Sequence, residues 1–558
     1  MSDTRTIVIV GAVAGGASAA TRARRCNESA RIILYEKDRY ASFANCGLPY
    51  YLGGEIEDRE KLLVAKPPLF ADRFNIELHT RHEVTGIDPE RRVVTVLNRE
   101  TGESFEQPYD RLILAAGAAP FVPPVEGAHA PNVFTLRSLE DADAIHDFIA
   151  HNDVRRPVVV GAGFIGLEMA EQMHRRGMAV EVLELAPQVL PPLDPEMAAF
   201  IEEELLKEGV GLHTSDALSA IRTGDDGRAN AVITQNGKTL DADLVILSIG
   251  VRPMLGLAEA IGLHTGATGG ITVNEHLQTN HSEIYAAGDS VEYCHGVTGT
   301  TMRVPLAGPA NRAGRIAGQH AATDEAPAMA PVLGTAIIRV FSKTAATTGL
   351  SSKAAKAAGL PAKSVVITAN NHAGYFPGAE ALTLKLVYSP ETGRILGAQS
   401  VGGSGVDKRI DVIATAIGMR GTVRDLSGLD LCYAPPFGSA KDPVHMAAFA
   451  ACNDLDGIAT LADPTDSPEG KQYVDVRNPA EVAACSDPRA IAIPLDQLRD
   501  RLGELDPALP TLVTCQSGLR SHVGVCILKQ HGFAQVENQS GGMLLQRRIR
   551  PTELQIVE

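Results

Sequence analysis

Cys46 is the residue whose type and surroundings most directly predict redox chemistry in this chain. It ends the segment Ser-Phe-Ala-Asn-Cys over residues 42–46, soon after a strand–glycine loop–helix–strand pattern that ends at Glu36. A pair of redox cysteines would place its second member five positions further on, but Tyr51 stands there. Because a lone redox thiol must exchange with sulfur from elsewhere, Cys46 is predicted to form its disulfide with a substrate.

A second candidate sulfur site begins at Cys515. The sequence Cys-Gln-Ser-Gly-Leu-Arg over residues 515–520 follows a predicted strand and leads into a predicted helix. Such a loop can curl its backbone N–H groups around the sulfur of Cys515, and the helix N-terminus and Arg520 would stabilise a bound persulfide anion. The alternative is a phosphatase loop. That loop has one residue more between its cysteine and its arginine, so the spacing here favours sulfur transfer.

The most regular nucleotide-binding motif is Gly161-x-Gly163-x-x-Gly166, between a predicted strand and a predicted helix. The three glycines permit a tight turn, a close approach of backbone to pyrophosphate, and packing of helix on strand. Glu184 ends the next strand and can accept hydrogen bonds from a ribose. No arginine follows Glu184 directly, so NADH is predicted rather than NADPH, which stays the other candidate cofactor.

An earlier glycine loop is less regular. It contains Gly11, Gly15 and Gly16, with Val13 in the place of the second glycine and Glu36 in the ribose-binding position. By itself this loop is compatible with a nucleotide site or with a structural turn.

A short apolar strand that ends in Gly-Asp supports the nucleotide interpretation. Asp289 closes this strand, far along the chain from the first loop. In flavoproteins with two dinucleotide sites, such a residue contacts the ribityl–pyrophosphate region, which predicts FAD in the first unit. The alternative for Asp289 is an ordinary Asx turn.

Composition limits the partners and the compartment. A net charge of −16 over 558 residues argues against nucleic acid, although it leaves room for a local basic pocket. The eight cysteines include no CxxC pair, which favours a cytoplasmic chain with reduced cysteines and no metal site. No apolar run reaches the roughly 20 residues that span a bilayer. The N-terminus resembles a secretory signal, but its glycines fit a strand–turn–helix better.

The order of these motifs predicts an α/β chain with four domains and one linker. We expect an FAD-binding Rossmann-like domain, an NAD-binding one, an α+β dimerisation domain, and a small α/β domain after a linker rich in Asp, Pro, Ser and Gly. The predicted bounds are 1–120 with 250–330 for FAD, 121–249 for NAD(P), 331–450 for dimerisation, 451–470 for the linker and 471–558 for the last domain.

Over residues 1–450 the chain resembles the flavoprotein disulfide reductase superfamily. The 42–46 segment resembles its single-cysteine branch, which includes the coenzyme A-disulfide reductases. The C-terminal domain, with Asp475-x-Arg477 and the Cys515 loop, resembles a rhodanese domain. The whole chain is therefore similar to coenzyme A-disulfide reductases fused to rhodanese, the group that includes NADH-dependent persulfide reductases.

The resemblance implies roles for further residues. Ser42 and Asn45 would place the substrate thiol, while Tyr375 and Tyr433 would reach the active site from the other subunit of a homodimer. Lys441 is close enough in sequence to join the tyrosines. The candidates for binding coenzyme A are Arg22, Arg25, Asn311 and Arg315, with Arg24, Lys66 and Arg73 as further basic side chains. The structural alternatives are that these arginines are solvated surface residues and that the tyrosines are ordinary core residues.

The predicted activity is the reduction by NADH, through FAD and Cys46, of coenzyme A persulfide, coenzyme A disulfide or polysulfide. The products would be coenzyme A thiol and, from persulfides, sulfide, with Cys515 transferring sulfur. One alternative is an NADH oxidase or peroxidase that uses a cysteine sulfenic acid. Such relatives usually carry a histidine in the first glycine loop, where this chain has Ala14. A second alternative is a sulfur-carrier or redox-sensing flavoprotein.

Overall fold

The computed structural model describes residues 5–556. The chain divides into two compact units. The first comprises the residues up to Leu185 together with Val210–Gly334, and the second comprises Ala186–Gly209 together with the residues from Thr335 onward. Residues 186–209, which the predicted bounds place in the NAD-binding domain, group here with the second unit.

The helices and strands of the nucleotide-binding region alternate along the chain. Residues 5–120 form β1 (Thr6–Val10), α1 (Ala14–Cys26), β2 (Arg31–Tyr35), α2 (Leu48–Gly53), β3 (Glu77–His79), β4 (His82–Asp88), β5 (Val93–Asn98), β6 (Ser104–Pro108), β7 (Arg111–Leu114) and β8 (Ala118–Pro120). Residues 121–249 form β9 (Val133–Phe134), α3 (Leu139–His151), β10 (Pro157–Val160), α4 (Phe164–Arg175), β11 (Glu181–Leu183), α5 (Pro195–Lys207), β12 (Gly211–His213), β13 (Leu218–Thr223), β14 (Ala229–Thr234), β15 (Thr239–Asp241) and β16 (Leu244–Leu247). Residues 250–334 form β17 (Val251–Pro253), α6 (Gly256–Ala260), β18 (Ile284–Ala286), β19 (Glu292–Cys294), β20 (Thr301–Arg303) and α7 (Ala307–Thr323).

Two parallel sheets organise the first unit. One has the strand order β18-β7-β1-β2-β3, and the other has the order β12-β11-β10-β16-β9. Their central strands are runs of Val, Ile and Leu that are buried almost completely, as expected when both faces of a sheet are covered. Each glycine loop leaves the carboxyl end of a central strand, where ligands bind in open α/β sheets.

Helices α1 and α7 pack closely through glycine. A Cβ on Gly314 would collide with the carbonyl oxygen of Gly15, and a Cβ on Gly318 would collide with that of Ala19. Both glycines of α7 therefore permit backbone contact with α1, directly behind the first glycine loop.

The second unit begins with an antiparallel sheet. Residues 335–455 form β21 (Ala336–Val340), β22 (Lys343–Gly349), α8 (Ser352–Ala357), β23 (Lys363–Asn370), β24 (Ala381–Tyr388), β25 (Ile395–Gly402), α9 (Val406–Gly418), α10 (Val423–Ser427) and α11 (Pro443–Leu455). The strand order is β21-β22-β25-β24-β23, with antiparallel neighbours throughout.

A smaller parallel sheet completes the second unit. Residues 456–556 form β26 (Thr460–Ala462), β27 (Gln472–Asp475), α12 (Pro479–Ala484), β28 (Cys485–Ser486), β29 (Ile491–Ala492), β30 (Thr511–Thr514), α13 (Leu519–Gln530), β31 (Val536–Gln539), α14 (Gly542–Ile549) and β32 (Gln555–Ile556). The sheet order is β26-β31-β30-β27-β29. Two elements enter the predicted linker, since α11 extends to Leu455 and β26 pairs with β31. A three-residue edge strand has too few residues to show a periodic pattern.

A buried ionic cluster explains why 186–209 belongs to the second unit. Lys385 on β24 is 1% exposed and forms ion pairs with Asp194, at 2.8 Å, and with Glu196. Asp194 also accepts a hydrogen bond from Gln399 at 2.9 Å. Helix α5 is thus attached to the antiparallel sheet by side chains more than 150 positions away, and no local sequence pattern indicates such a contact.

Candidate active site

Cys46 lies in a tight turn just before helix α2. The turn spans Asn45–Gly47, and the Cys46 Sγ is 3.6 Å from Oδ1 of Asn45. Although the side chain is accessible to solvent, partial desolvation raises the pKa of the Cys46 thiol. The carboxylate of Glu168 also raises this pKa, whereas Arg137 lowers it. Formation of the Cys46 thiolate is therefore opposed mainly by burial, and neighbouring charges modify that effect.

The backbone of Ser42 fastens the cysteine segment to the first glycine loop. Its N–H donates to the carbonyl oxygen of Ala12 at 2.7 Å, and its carbonyl oxygen accepts from Val64 N–H at 2.9 Å. Ser42 has φ of 48°, in the left-handed region that residues other than glycine rarely adopt. Such strain persists only where the surrounding structure imposes it, so the conformation of this segment is set by its contacts.

The first glycine loop fits a dinucleotide. Gly11 has φ of 93°, and a Cβ there would collide with the carbonyl oxygen of Ala115. A Cβ on Gly16 would collide with the carbonyl oxygen of Gly11, whereas one on Gly15 would make only ordinary contacts. The Glu36 carboxylate is buried at the end of β2 and accepts the Ala12 N–H at 2.7 Å. Burial raises the pKa of Glu36.

The Gly-Asp segment after β18 adds polar groups on the same sheet. Asp289 accepts a hydrogen bond from Nη2 of Arg137 at 2.6 Å. Ser290 is 1% exposed, and within residues 5–556 its hydroxyl has no hydrogen-bond partner. A buried polar atom without a partner is costly, and the phosphate and ribityl groups of FAD are the kind of partner that would satisfy it.

The second glycine loop has the same features as the first, and all three glycines of its motif are present. Gly161 has φ of 104°, and a Cβ on Gly166 would collide with the Gly161 carbonyl oxygen. A Cβ on Gly163 would meet no atom of the described chain within 4 Å, so this is the side open to a ligand. Glu184 is buried and accepts the Ala162 N–H at 2.6 Å. These features fit NADH, with its pyrophosphate at the N-terminus of α4.

Ser248 is a polar residue next to this loop, and no sequence motif predicted a role for it. It follows β16, and its Cβ lies 3.4 Å from the position of a Cβ on Gly166. Its hydroxyl is buried and has no hydrogen-bond partner among the described residues. The hydroxyl is therefore available to the dinucleotide.

Helix α2, which follows Cys46, is hydrogen-bonded to helix α4 of the NADH domain. The Tyr50 hydroxyl donates to Glu168 at 3.1 Å, and Arg176 donates to the Leu52 carbonyl oxygen at 2.8 Å. Neither Tyr50 nor Glu168 stands in a sequence motif, so neither was predicted. A carboxylate that acts on Cys46 from more than 100 positions away has no signature in sequence spacing.

The candidate residues for coenzyme A lie on the paired helices α1 and α7. Arg22 donates to Gln319 Oε1 across the pair, with its shorter contact at 2.5 Å, and Ser18 donates to Asn311 at 2.5 Å. The Arg25 guanidinium lies 4.9 Å from the centre of the Phe74 ring, and Arg315 is exposed on α7. The helix pair thus brings four predicted residues onto two adjacent elements.

Tyr375 and Tyr433 meet within the second unit. Their hydroxyl oxygens are 3.1 Å apart, and the side chains are 76% and 49% exposed. The hydrogen bond that Tyr375 shares with Tyr433 raises the pKa of Tyr375. Lys441 is exposed shortly before α11. Phe437, which is 72% exposed, adds another aromatic surface to this region.

The Cys515 loop forms a compact cradle for sulfur. Cys515 is 1% exposed, and its Sγ accepts the Gly518 N–H at 3.2 Å. The Ser521 hydroxyl lies 3.3 Å from the same sulfur. A Cβ on Gly542 would collide with the Cys515 carbonyl oxygen, so a glycine is needed behind the loop. Arg520 forms two hydrogen bonds to Glu481, at 2.7 and 2.6 Å.

The cysteines of both sites are free thiols, as are the other six cysteines. Residues 5–556 contain no group of three or more His, Cys, Asp or Glu side chains that could hold a metal ion. None of the helices in the described part of the chain combines the length and apolar character needed to cross a membrane.

Three family matches cover most of the chain. Residues 5–325 match the pyridine nucleotide-disulphide oxidoreductases, and residues 335–443 match the dimerisation domain of the same family. Residues 459–545 match the rhodanese-like domain. The predicted fold class is confirmed by these matches.

Known proteins resemble the chain over most of their length. Coenzyme A disulfide reductase of Staphylococcus aureus is 37% identical over 445 residues, which are 80% of this chain and 99% of that protein. The crystal structure of reduced Bacillus anthracis CoADR-RHD superposes with a TM-score of 0.95 at 42% identity, covering 99% of both chains. The NAD-dependent persulfide reductase from A. fulgidus gives a TM-score of 0.90 at 38% identity, covering 97% of this chain and 99% of that one.

Proposed function

The chain belongs to the pyridine nucleotide-disulphide oxidoreductase family, and from this we propose that it uses NADH to reduce coenzyme A persulfide, coenzyme A disulfide or polysulfide through Cys46. One observation carries the proposal: two free thiols occupy two separately built sites. Cys46 follows the FAD loop, and Cys515 lies in a rhodanese loop. The printed names of the relatives, coenzyme A disulfide reductase and persulfide reductase, support the same chemistry.

The chemistry at Cys46 is thiol–disulfide exchange. Bound FAD supplies the two-electron relay between NADH and sulfur. The Cys46 thiolate attacks a sulfur atom of the substrate, a new S–S bond forms, and the substrate's own S–S bond breaks. The leaving thiolate or hydrosulfide takes up a proton. Two electrons that originate in NADH then cleave the bond on Cys46 and restore its thiolate.

Other side chains place the substrate and supply the proton. Ser42 and Asn45 flank the reacting sulfur. Tyr433, hydrogen-bonded to Tyr375, donates the proton to the leaving group, with Lys441 nearby. In this scheme the two tyrosines come from the partner subunit of a homodimer, and their exposure in the single chain supports it. Cys515 transfers persulfide sulfur, with Arg520 in its loop.

Coenzyme A binds along α1 and α7 in this proposal. Cationic Arg22, Arg25 and Arg315 suit its phosphates, and Asn311 suits its polar groups. Eight free cysteines are consistent with a reducing compartment, and we propose the cytoplasm.

The test measures NADH oxidation by the holoenzyme, anaerobically with coenzyme A persulfide, coenzyme A disulfide, polysulfide or hydrogen peroxide, and separately in oxygenated buffer with no other acceptor. We expect turnover with the sulfur substrates and its loss in Cys46→Ser. Cys294→Ser is the matched control, because Cys294 is an exposed thiol elsewhere in the same unit. Full turnover in Cys46→Ser, or a preference for peroxide or oxygen, would overturn the proposal.

A further inference from the structure

The arginines near Cys515 are each paired with a carboxylate. Such pairing is unusual for a site that would bind an anion. Between Cys515 and Arg520 the loop residues are Gln, Ser, Gly and Leu, all uncharged. Arg520 is the one cation of the loop, and its guanidinium is bound by both oxygens of the Glu481 carboxylate. The hydrogen bonds from Arg520 lower the pKa of Glu481 to about 2, so this carboxylate is ionised at neutral pH.

A second arginine near the loop is neutralised in the same way. Arg477 is 2% exposed and donates to Asp475 at 2.6 and 3.0 Å. Asp475 ends β27, the neighbour of β30, which leads directly into Cys515. Both arginines therefore have a negative partner, and the hydrogen bonds to the sulfur come from neutral donors, the Gly518 N–H and the Ser521 hydroxyl.

Exposed apolar side chains lie at the start of the helix that follows the loop. Leu519 is 62% exposed, and Val523 is 39% exposed one helical turn further on. Residues four apart lie on the same face of a helix, so these two side chains form one apolar patch at the start of α13. The Cys515 sulfur is buried, so a donor must reach it with a narrow end.

We propose that Cys515 takes sulfur from the end of an alkyl persulfide chain in preference to an inorganic sulfur oxyanion, and that Glu481 sets this preference by neutralising Arg520. This inference rests on the proposed function, whose Cys515 step it makes specific. The Cys515 thiolate attacks the outer sulfur of R–S–SH, and a Cys515–sulfur bond forms as the donor S–S bond breaks. The donor leaves with the proton as R–SH, and Cys515 carries a persulfide anion, without net oxidation.

The test measures loading of Cys515 in the full-length holoenzyme without NADH, by intact mass, with pantetheine persulfide or thiosulfate as donor. The wild type should load from the persulfide much faster. Glu481→Gln should shift the ratio of the two rates toward thiosulfate by about tenfold, the scale expected when one carboxylate no longer compensates a nearby guanidinium. Adding Arg520→Gln to this variant should remove the gain.

Two further variants keep the result interpretable. Glu504→Gln is the matched control, because Glu504 is paired with Arg501 in the same domain and should leave the ratio unchanged. Gln516→Lys adds a cation to the loop with the ion pair intact and should also raise thiosulfate loading. The proposal would be overturned if both donors loaded the wild type at equal rates. It would also be overturned if neither Glu481→Gln nor Gln516→Lys shifted the ratio of the two loading rates toward thiosulfate. Failure of the proposed function would appear separately, as NADH-dependent turnover that survives Cys46→Ser.

Discussion

The hydroxyl of Tyr50 lies 3.1 Å from Oε1 of Glu168, so the helix after Cys46 is hydrogen-bonded to the helix of the NADH loop. Glu168 also acts electrostatically on the Cys46 thiol. One carboxylate thus contacts the helix that follows Cys46 and raises the pKa of the Cys46 thiol.

This relationship predicts a pH effect. Because the Glu168 charge helps to raise the pKa of Cys46, Glu168→Gln should lower that pKa, so thiolate persists to lower pH. The rate of Cys46 alkylation by iodoacetamide in the holoenzyme, followed against pH, should shift to lower pH. Tyr50→Phe removes the hydrogen bond but leaves the charge, so it should produce no such downward shift. An unchanged profile in Glu168→Gln would contradict this account.

We expect proton transfer to slow when the hydroxyl of either paired tyrosine, Tyr433 or Tyr375, is removed. Tyr433→Phe should lower kcat for persulfide reduction by roughly 10²–10⁴-fold, the usual contribution of a positioned general acid. The KM for NADH should change little, because Tyr433 is not in either glycine loop. Steady-state kinetics of Tyr433→Phe and Tyr375→Phe would check this. If both variants keep the kcat of the wild type, proton donation by this pair is excluded.

The glycine contact between α1 and α7 predicts a packing defect. Gly314→Ala should lower the free energy of unfolding by about 1–3 kcal/mol, because its Cβ would collide with the Gly15 carbonyl oxygen. Retention of FAD should fall too, since Gly15 belongs to the first loop. Gly308→Ala on the same helix is the control: its Cβ would meet nothing within 4 Å of the described chain. Calorimetry and flavin absorbance after gel filtration would measure both effects.

The buried ionic cluster predicts a large loss of stability. Lys385→Met leaves Asp194 and Glu196 buried without their cation, which should cost about 3–5 kcal/mol. Scanning calorimetry of Lys385→Met should show that the second unit melts at a lower temperature than in the wild type. Lys356→Met removes an exposed lysine from α8 and should change stability by less than about 0.5 kcal/mol. Equal melting of the two variants would mean that the cluster does not stabilise the unit.

Local patterns were sufficient to predict the fold class and both nucleotide loops. A run of β-branched residues, a glycine turn and a helix lie next to each other in sequence, so their geometry is set within a few residues of Gly161 or Gly11. The same holds for the Cys515 loop, whose N–H donors come from its own backbone. The roles of individual residues within these sites stay predictions.

The sequence by itself determined the elements whose contacts are local: two glycine loops, a cysteine without a nearby second cysteine, and the loop that begins at Cys515. The tertiary structure alone decided which charges lie near those two cysteines. Glu168 contacts the helix after Cys46 from 118 positions along the chain, and Glu481 neutralises Arg520 from 39 positions away. Electrostatic effects depend on distance in space, and spacing along the chain does not determine that distance once the chain has folded.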